Sequence, residues 1–288
     1  MLNLLGDSSA LIEHFLRVLN ERSRCERFFP KGIASFSSTS AVLFLLGQHC
    51  DNLRASPEPC LILNKRSKRV KQAGDLCFPG GRIIPRSDFY FSKILRLPLF
   101  PLARWPYWHR WRDLRQGESR RLALLFAASL RESLEEMRLN PLLVKFLGPL
   151  SPQRLEMFHR VIYPMAGWIT GQKRFFPNWE VEKIVYIPLR NLLNADGYAC
   201  YRLQMGPHRD NRGKGITQDF PCFLHQNRDE EEVLWGATYR IITVFLELVF
   251  GFIPPPMDTL PVIEGALDED YLTGAEDRNP DRPVKCLK

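Results

Sequence analysis

Between Ser119 and Arg138 two patterns overlap in one stretch of chain. Ala123, Phe126, Ala127, Leu130, Leu134 and Met137 recur at three- and four-residue spacing, the apolar stripe of a helix. On the other side, Arg131-Glu132-Ser133-Leu134-Glu135-Glu136 packs three carboxylates into five positions. At 100° per residue, Glu132, Glu135 and Glu136 fall within an arc of about 100°. Such a helix must bury one face and offset three like charges on the other. A hard divalent cation such as Mg²⁺ or Mn²⁺ suits that arc; the plain alternative is a solvated helix face.

Upstream, an apolar strand at Leu61–Leu63 leads into a basic run and a turn at Gly74. A short apolar strand and Phe78-Pro79-Gly80-Gly81 follow. Adjacent glycines let backbone approach a ligand closely and leave a carbonyl free as a ligand. With the acidic helix, this pattern resembles the Nudix hydrolases, whose signature runs Gly, five residues, Glu, seven residues, then Arg-Glu-hydrophobic-x-Glu-Glu-x-Gly. Arg66-Ser67, Gly74-Asp75 and Phe78-Pro79-Gly80-Gly81 keep the spacing of the leader in the coenzyme A diphosphatase branch. Val161–Trp168, Asn178-Trp179-Glu180-Val181 with Ile187-Pro188-Leu189, and Leu234–Ile241 resemble later elements of that branch, in order.

The chain also departs from the pattern. Gly81 and Arg131 lie 50 positions apart where the family has 14, an insertion of about 36 residues. The Glu expected eight positions before Arg131 falls on Ala123. Glu118 cannot replace it within one helix, because 14 residues separate it from Glu132 by roughly 21 Å. Asp88 is the better candidate if the insertion brings it back to the helix. Arg138 stands where the box ends in Gly, which makes a left-handed helix end harder. Gln72 and Asp75 replace the leader's His and Glu.

The implied architecture is α/β: a Nudix-type α/β/α sandwich with a mixed central sheet and an inserted basic, aromatic segment. Residues 1–34 read as an N-terminal helix and lead-in, with Leu11, Ile12, Phe15, Leu16 and Leu19 on its buried side. Residues 35–252 read as the Nudix domain, with the insertion at 89–122. Residues 253–288 read as a proline-rich stop and a polar tail, disordered from Gly265 onward. Strands are expected near 41–46, 61–64, 76–78, 145–150, 160–169, 182–187, 198–203 and 220–224. A helix from about 231 to 250 closes the domain, with Glu230, Glu231 and Glu232 at its N-terminus favouring the dipole; the alternative for these glutamates, as for Glu180, is a general-base role. Residues 233–253 are the most apolar window, but Arg240 and Glu247 interrupt it as in a buried helix rather than a membrane span.

Seven scattered cysteines without a CxxC pair argue against a disulfide framework or a zinc site and suit a reducing compartment. The N-terminus lacks a basic region and an apolar run like those of a secretory leader, so a cytoplasmic location is expected. The six histidines show no metal-ligand spacing, and His159 reads as structural.

The insertion carries eight Lys/Arg against Asp113 and Glu118, +6 of a chain net charge of +8. Trp105, Trp108 and Trp111 recur within it at every third position. It reads as a locally packed cap, as a lid whose arginines and rings grip a nucleotide, or as a peripheral contact with an anionic membrane. No nucleic-acid recognition motif is present, so nucleic acid is not an expected partner. An oligomer is left open.

What the resemblance implies is metal-dependent hydrolysis of the diphosphate of coenzyme A or an acyl-CoA, giving 3′,5′-ADP and (acyl-)4′-phosphopantetheine. Glu132, Glu135 and Glu136 would hold Mg²⁺ or Mn²⁺, and Arg131 would orient them. Arg66, Ser67, Gly80 and Gly81 would meet the substrate. The alternatives are a diphosphatase for another nucleoside diphosphate derivative, or a Nudix-fold binding module without turnover.

Overall fold

The computed structural model describes residues 2–25, 28–30, 33, 38–50, 57–155, 160–209, 215–227, 230–267 and 271. The centre of the main sheet is the apolar run expected to be a central strand, β1 (Thr39–His49). It pairs antiparallel with β2 (Glu58–Arg66) and β4 (Gly80–Arg82), and parallel with β7 (Arg160–Ile169). β3 (Leu76–Cys77) and β8 (Val181–Pro188) flank β2, while β5 (Val144–Pro149) and β6 (Gln153–Leu155) flank β7. The sheet is therefore mixed.

Register shows why it is covered on both faces. Leu45 lies beside Gly167, which lies beside Phe146, so these three share a face. Phe44, one residue earlier, points the other way. Phe146 meets Phe126 of α4 (Gln116–Met137) at 4.3 Å between ring centroids. Phe44 meets Phe245 of α6 (Gly236–Phe250) at 4.5 Å, and Phe245 meets Phe15 of α1 (Ser8–Cys25). Helices on opposite faces of a mixed sheet make the α/β/α sandwich. All five apolar positions expected to be buried in α1 are buried.

The insertion opens with α2 (Pro85–Ile94), which packs along α4, and continues through α3 (Trp108–Leu114). Trp105, Trp108 and Trp111 are buried, Trp105 against Phe146 and Trp111 against Phe29. They form a packed cap, so these rings are neither lid surfaces nor membrane anchors. The same cap extends α4 backward to Gln116.

Several expectations fail for local reasons. The closing helix starts at Gly236, not 231, because Glu230–Trp235 forms β11 against β10 (Gly215–Asn227). β10 in turn pairs with β9 (Tyr198–Arg209), after the short α5 (Leu189–Leu192). Glu232 is consequently no dipole partner: it is buried and ion-paired to Lys65 at 3.2 Å and Lys183 at 2.7 Å. The tail does not lose structure at Gly265. Val262–Ala266 forms β12, parallel to β9, because alternate backbone groups of that edge were unpaired. Tyr271 is also placed; residues 272–288 and His159 lie outside the described residues. Leu134, expected to be buried, is exposed in a turn where Glu135 and Arg138 are exposed too. Arg138 adopts the left-handed conformation, φ 57°, with no glycine present. Its carbonyl accepts from Gln172 at 3.0 Å, and the Asn140 N–H donates to the same side chain, which holds the turn. Among the described residues no helix is long and apolar enough to cross a membrane.

His225 on β10 is buried opposite Glu232, and its Nδ1 has no partner among the described residues. Burial holds its pKa below the ordinary 6.5, against the pull of the Glu232 charge. The unfolded chain then takes up the proton first as pH falls. Its contribution to stability is full above about pH 6.5 and is lost below it, by at most about 1.4 kcal/mol per pH unit. Thermal melts between neutral pH and pH ~5 should therefore steepen in wild type relative to His225→Gln, and parallel curves would show that this imidazole is not responsible.

Candidate active site

α4 presents Arg131 and the glutamates to the glycine strand because α4 packs across β1 and β4. Gly80 is required by the approach of the β1 backbone, and Gly81 leaves room for the Glu132 carboxylate. A Cβ on Gly81 would lie 2.5 Å from Glu132 Oε1, and one on Gly80 would lie 2.5 Å from Val42 Cα. The pair forms a strand edge rather than a turn, registered with Val42 and Ala41.

Arg131 is the hub. Its Nε donates to Asp88 Oδ1 at 2.7 Å, and its Nη2 to Glu132 Oε1 and to the Arg82 carbonyl, both at 3.0 Å. Nη1 donates to Glu135 Oε2 at 3.1 Å. Asp88 is fully buried and its other oxygen accepts from the Ile84 N–H at 2.6 Å. The insertion thus brings Asp88 back to the helix, where both its oxygens are taken up by Arg131 and the start of α2.

Glu132 and Glu136 converge at the glycine edge. The Glu136 carboxylate accepts from Asn64 Nδ2 at 2.7 Å and from the Gly80 N–H. Burial raises its pKa to about 8, with further upward pushes from the charges of Glu132 and Glu180. Burial also raises the Glu132 carboxyl, although Arg131 opposes it. Glu135 differs: it is exposed and turned to Arg131. The structure thus brings two of the three glutamates together. Among the described residues no three His, Cys, Asp or Glu side chains converge as a metal cage. Two carboxylates still suit Mg²⁺, which keeps several waters and takes its remaining ligands from substrate phosphates.

The leader loop lies beside this pair. Arg66 Nε donates to the Lys71 carbonyl at 2.7 Å, and the Arg66 charge lowers the pKa of Glu136 against burial. Ser67 Oγ donates to the Trp179 carbonyl at 2.8 Å, and its N–H to the Glu180 carbonyl, also at 2.8 Å, so Ser67 ties two loops together. Asp75, at the leader's Glu position, accepts from Trp235 Nε1 at 3.0 Å and the Tyr271 hydroxyl at 2.6 Å. The Tyr271 carbonyl in turn accepts from the Gln72 N–H.

Asn64, Tyr271 and Trp235 were not marked by the sequence as site residues. Asn64 sits in an apolar strand with no flag beyond polarity, and Tyr271 lies in a segment whose composition reads as tail. Glu180 had a signal, the Asn-Trp-Glu triplet.

The Arg131–Asp88 contact carries a measurable coupling. Arg131→Ala strands Asp88 as a buried, unpaired charge and should cost about 3–5 kcal/mol in denaturant unfolding. Arg131→Ala with Asp88→Ala should cost clearly less than the sum of the two single changes. An additive double mutant would deny that the pair acts as a unit.

The chain is 25% identical over 188 residues to the uncharacterized Nudix hydrolase NudL of Yersinia pestis (strain Pestoides F), covering 65% of this chain and 70% of NudL. NudL of Yersinia pseudotuberculosis serotype O:1b (strain IP 31758) is similar to the same extent. No family model matches the chain. Among solved structures, a NUDIX hydrolase from Nitrosomonas europaea aligns with a TM-score of 0.35 and 10% identity, covering 80% of this chain and 81% of that chain. RenU, a Nudix hydrolase from M. smegmatis, aligns with a TM-score of 0.33 and 10% identity, covering 54% and 72%. The ordered signature, the sandwich that presents it and the similarity to NudL together support a Nudix-type hydrolase.

Proposed function

We propose that this chain is a divalent-cation-dependent diphosphatase acting on coenzyme A or an acyl-CoA. The observation that carries the proposal is the convergence of Glu132 and Glu136 on Gly80-Gly81, with Arg131 fixing one of them from behind. Two carboxylates crowded in partial burial are each pushed toward protonation, and a cation between them would reverse that push. When bound, Mg²⁺ or Mn²⁺ would neutralise the diphosphate and lower the pKa of a water.

The protein's own groups would then act as follows. Arg131 holds Glu132 to one orientation through Nη2, and Asn64 and the Gly80 N–H hold Glu136. Preset carboxylates need no reorganisation as charge develops. The glycine edge lets a phosphate approach the backbone without a Cβ in the way. Arg66 offers a guanidinium to a phosphate oxygen, and Ser67 positions that loop against Trp179. Water adds to one phosphorus, the bridging P–O bond breaks, and the second phosphate leaves with the bridging oxygen. No covalent bond to the protein is required. The leader spacing around Arg66-Ser67 and Phe78-Pro79-Gly80-Gly81 favours a CoA substrate. Glu135 facing away and Ala123 in the box favour the rival reading, a binding module without turnover.

Incubation of the full chain with CoA and Mg²⁺ or Mn²⁺, followed by mass spectrometry, decides between these readings. 4′-Phosphopantetheine and 3′,5′-ADP from wild type, and a loss of about 100-fold or more in Glu136→Gln, are expected. CoA left intact while another nucleoside diphosphate derivative is cleaved would overturn the substrate. A chain that hydrolyses nothing in such a panel would overturn the enzyme.

A further inference from the structure

The outward face of the insertion is not what a solvated helix presents. On α2, Asp88, Ser92 and Leu95 turn inward and are buried. At 100° per residue, Arg86, Phe89, Tyr90, Lys93 and Ile94 share the opposite arc of about 140°. Phe89 is 50% exposed, Tyr90 63% and Ile94 42%. The turn that follows adds Leu97 at 52% and Leu99 at 80%, with Arg96 and Pro98 exposed between and beside them. Lys93 Nζ lies 4.3 Å from the Phe89 ring centroid and 5.6 Å from that of Tyr90, so its ammonium stands among the rings.

Charge identifies what this surface fits. Between Ile84 and Phe100 the only carboxylate is Asp88, which is buried and paired to Arg131. The exposed surface of that stretch therefore carries Arg86, Lys93 and Arg96 with no negative charge. The three tryptophans are buried and α2 packs against α4, so the aromatic and apolar groups left exposed on α2 are not part of the core. A lysine amid the apolar side chains is poorly suited to the core of a protein interface, where lysine is depleted. Two copies meeting face to face would bring six such cations together. Aromatic and leucine side chains ringed by arginine and lysine suit the boundary between anionic lipid headgroups and acyl chains.

We propose that α2 and the turn through Leu99 form a peripheral docking surface for an anionic lipid bilayer. The apolar side chains enter the headgroup boundary while the three cations meet lipid phosphates and carboxylates. This surface is independent of turnover, and its test does not use substrate.

Flotation of the full chain with vesicles tests it, using phosphatidylcholine alone or with about one-third phosphatidylserine. Binding to the anionic vesicles, weakened by salt, is expected. Leu97→Asp with Leu99→Asp, both on exposed positions, should lower partitioning by about tenfold or more at unchanged melting temperature. Lys93→Glu with Arg96→Glu should act in the same direction. Equal binding to neutral vesicles, or full binding by both variants, would overturn the proposal. So would the absence of vesicle binding together with a concentration-dependent dimer that Leu97→Asp/Leu99→Asp abolishes, which would assign the face to a second copy.

Discussion

Arg131 donates to four acceptors on three parts of the chain: Asp88 on the insertion, the Arg82 carbonyl on the glycine strand, and Glu132 and Glu135 on its own helix. Each tie fixes something the others rely on. Through Asp88 it holds the insertion against α4. Through Arg82 it holds the glycine edge at its distance, and through Glu132 it aims a carboxylate at that edge. A planar guanidinium with five donors is the side chain able to do this, and a lysine in its place would serve fewer partners without the fixed fork. Burying such a pair is costly unless every lone pair is met, and Asp88 meets that condition with the Ile84 N–H on its second oxygen.

That lattice allows Glu132 and Glu136 to stay crowded. Left alone, two partly buried carboxylates side by side would be relieved by moving apart. Here Arg131 restrains one, and Asn64 with the Gly80 N–H restrains the other, so both stay in place with a raised proton affinity, chiefly from burial and, for Glu136, also from the Glu132 charge. Behind them the leader loop is held from the far end of the sequence. Asp75 lies between the Trp235 indole and the Tyr271 hydroxyl, and Trp235 is boxed by Tyr201, Phe220 and Tyr271. A segment beyond the last helix thereby supports a loop some 200 residues earlier.

The insertion divides its own composition between two faces. Its tryptophans fill the space between α4, β5 and the lead-in, where large rings bury the most area. Arg86, Lys93 and Arg96 remain outside, with Phe89, Tyr90, Ile94, Leu97 and Leu99. The same segment therefore both packs against α4 and presents a surface of its own, with Asp88 on the inner side of α2 and Lys93 on the outer.

Sequence alone determined the elements whose signal is local. The apolar run of β1, the amphipathic stripe of α1 and the carboxylate arc of α4 follow from periodicity, because side-chain direction repeats with backbone geometry. The Gly80-Gly81 edge was legible because adjacent glycines mark a close approach, and at Gly80 the neighbouring backbone leaves no room for a Cβ. What tertiary structure decided were the contacts between distant positions. That Asp88 answers Arg131 depends on α2 lying along α4, which no spacing in the chain encodes. That Glu230–Glu232 belong to a strand rather than a helix start depends on β10 offering Asn227, Gln226 and His225 as register partners, which outweighs the dipole preference of isolated glutamates. The tail's strand and the Tyr271 contact depend on an edge and a carboxylate elsewhere in the fold, so a polar composition that reads as tail becomes part of the site.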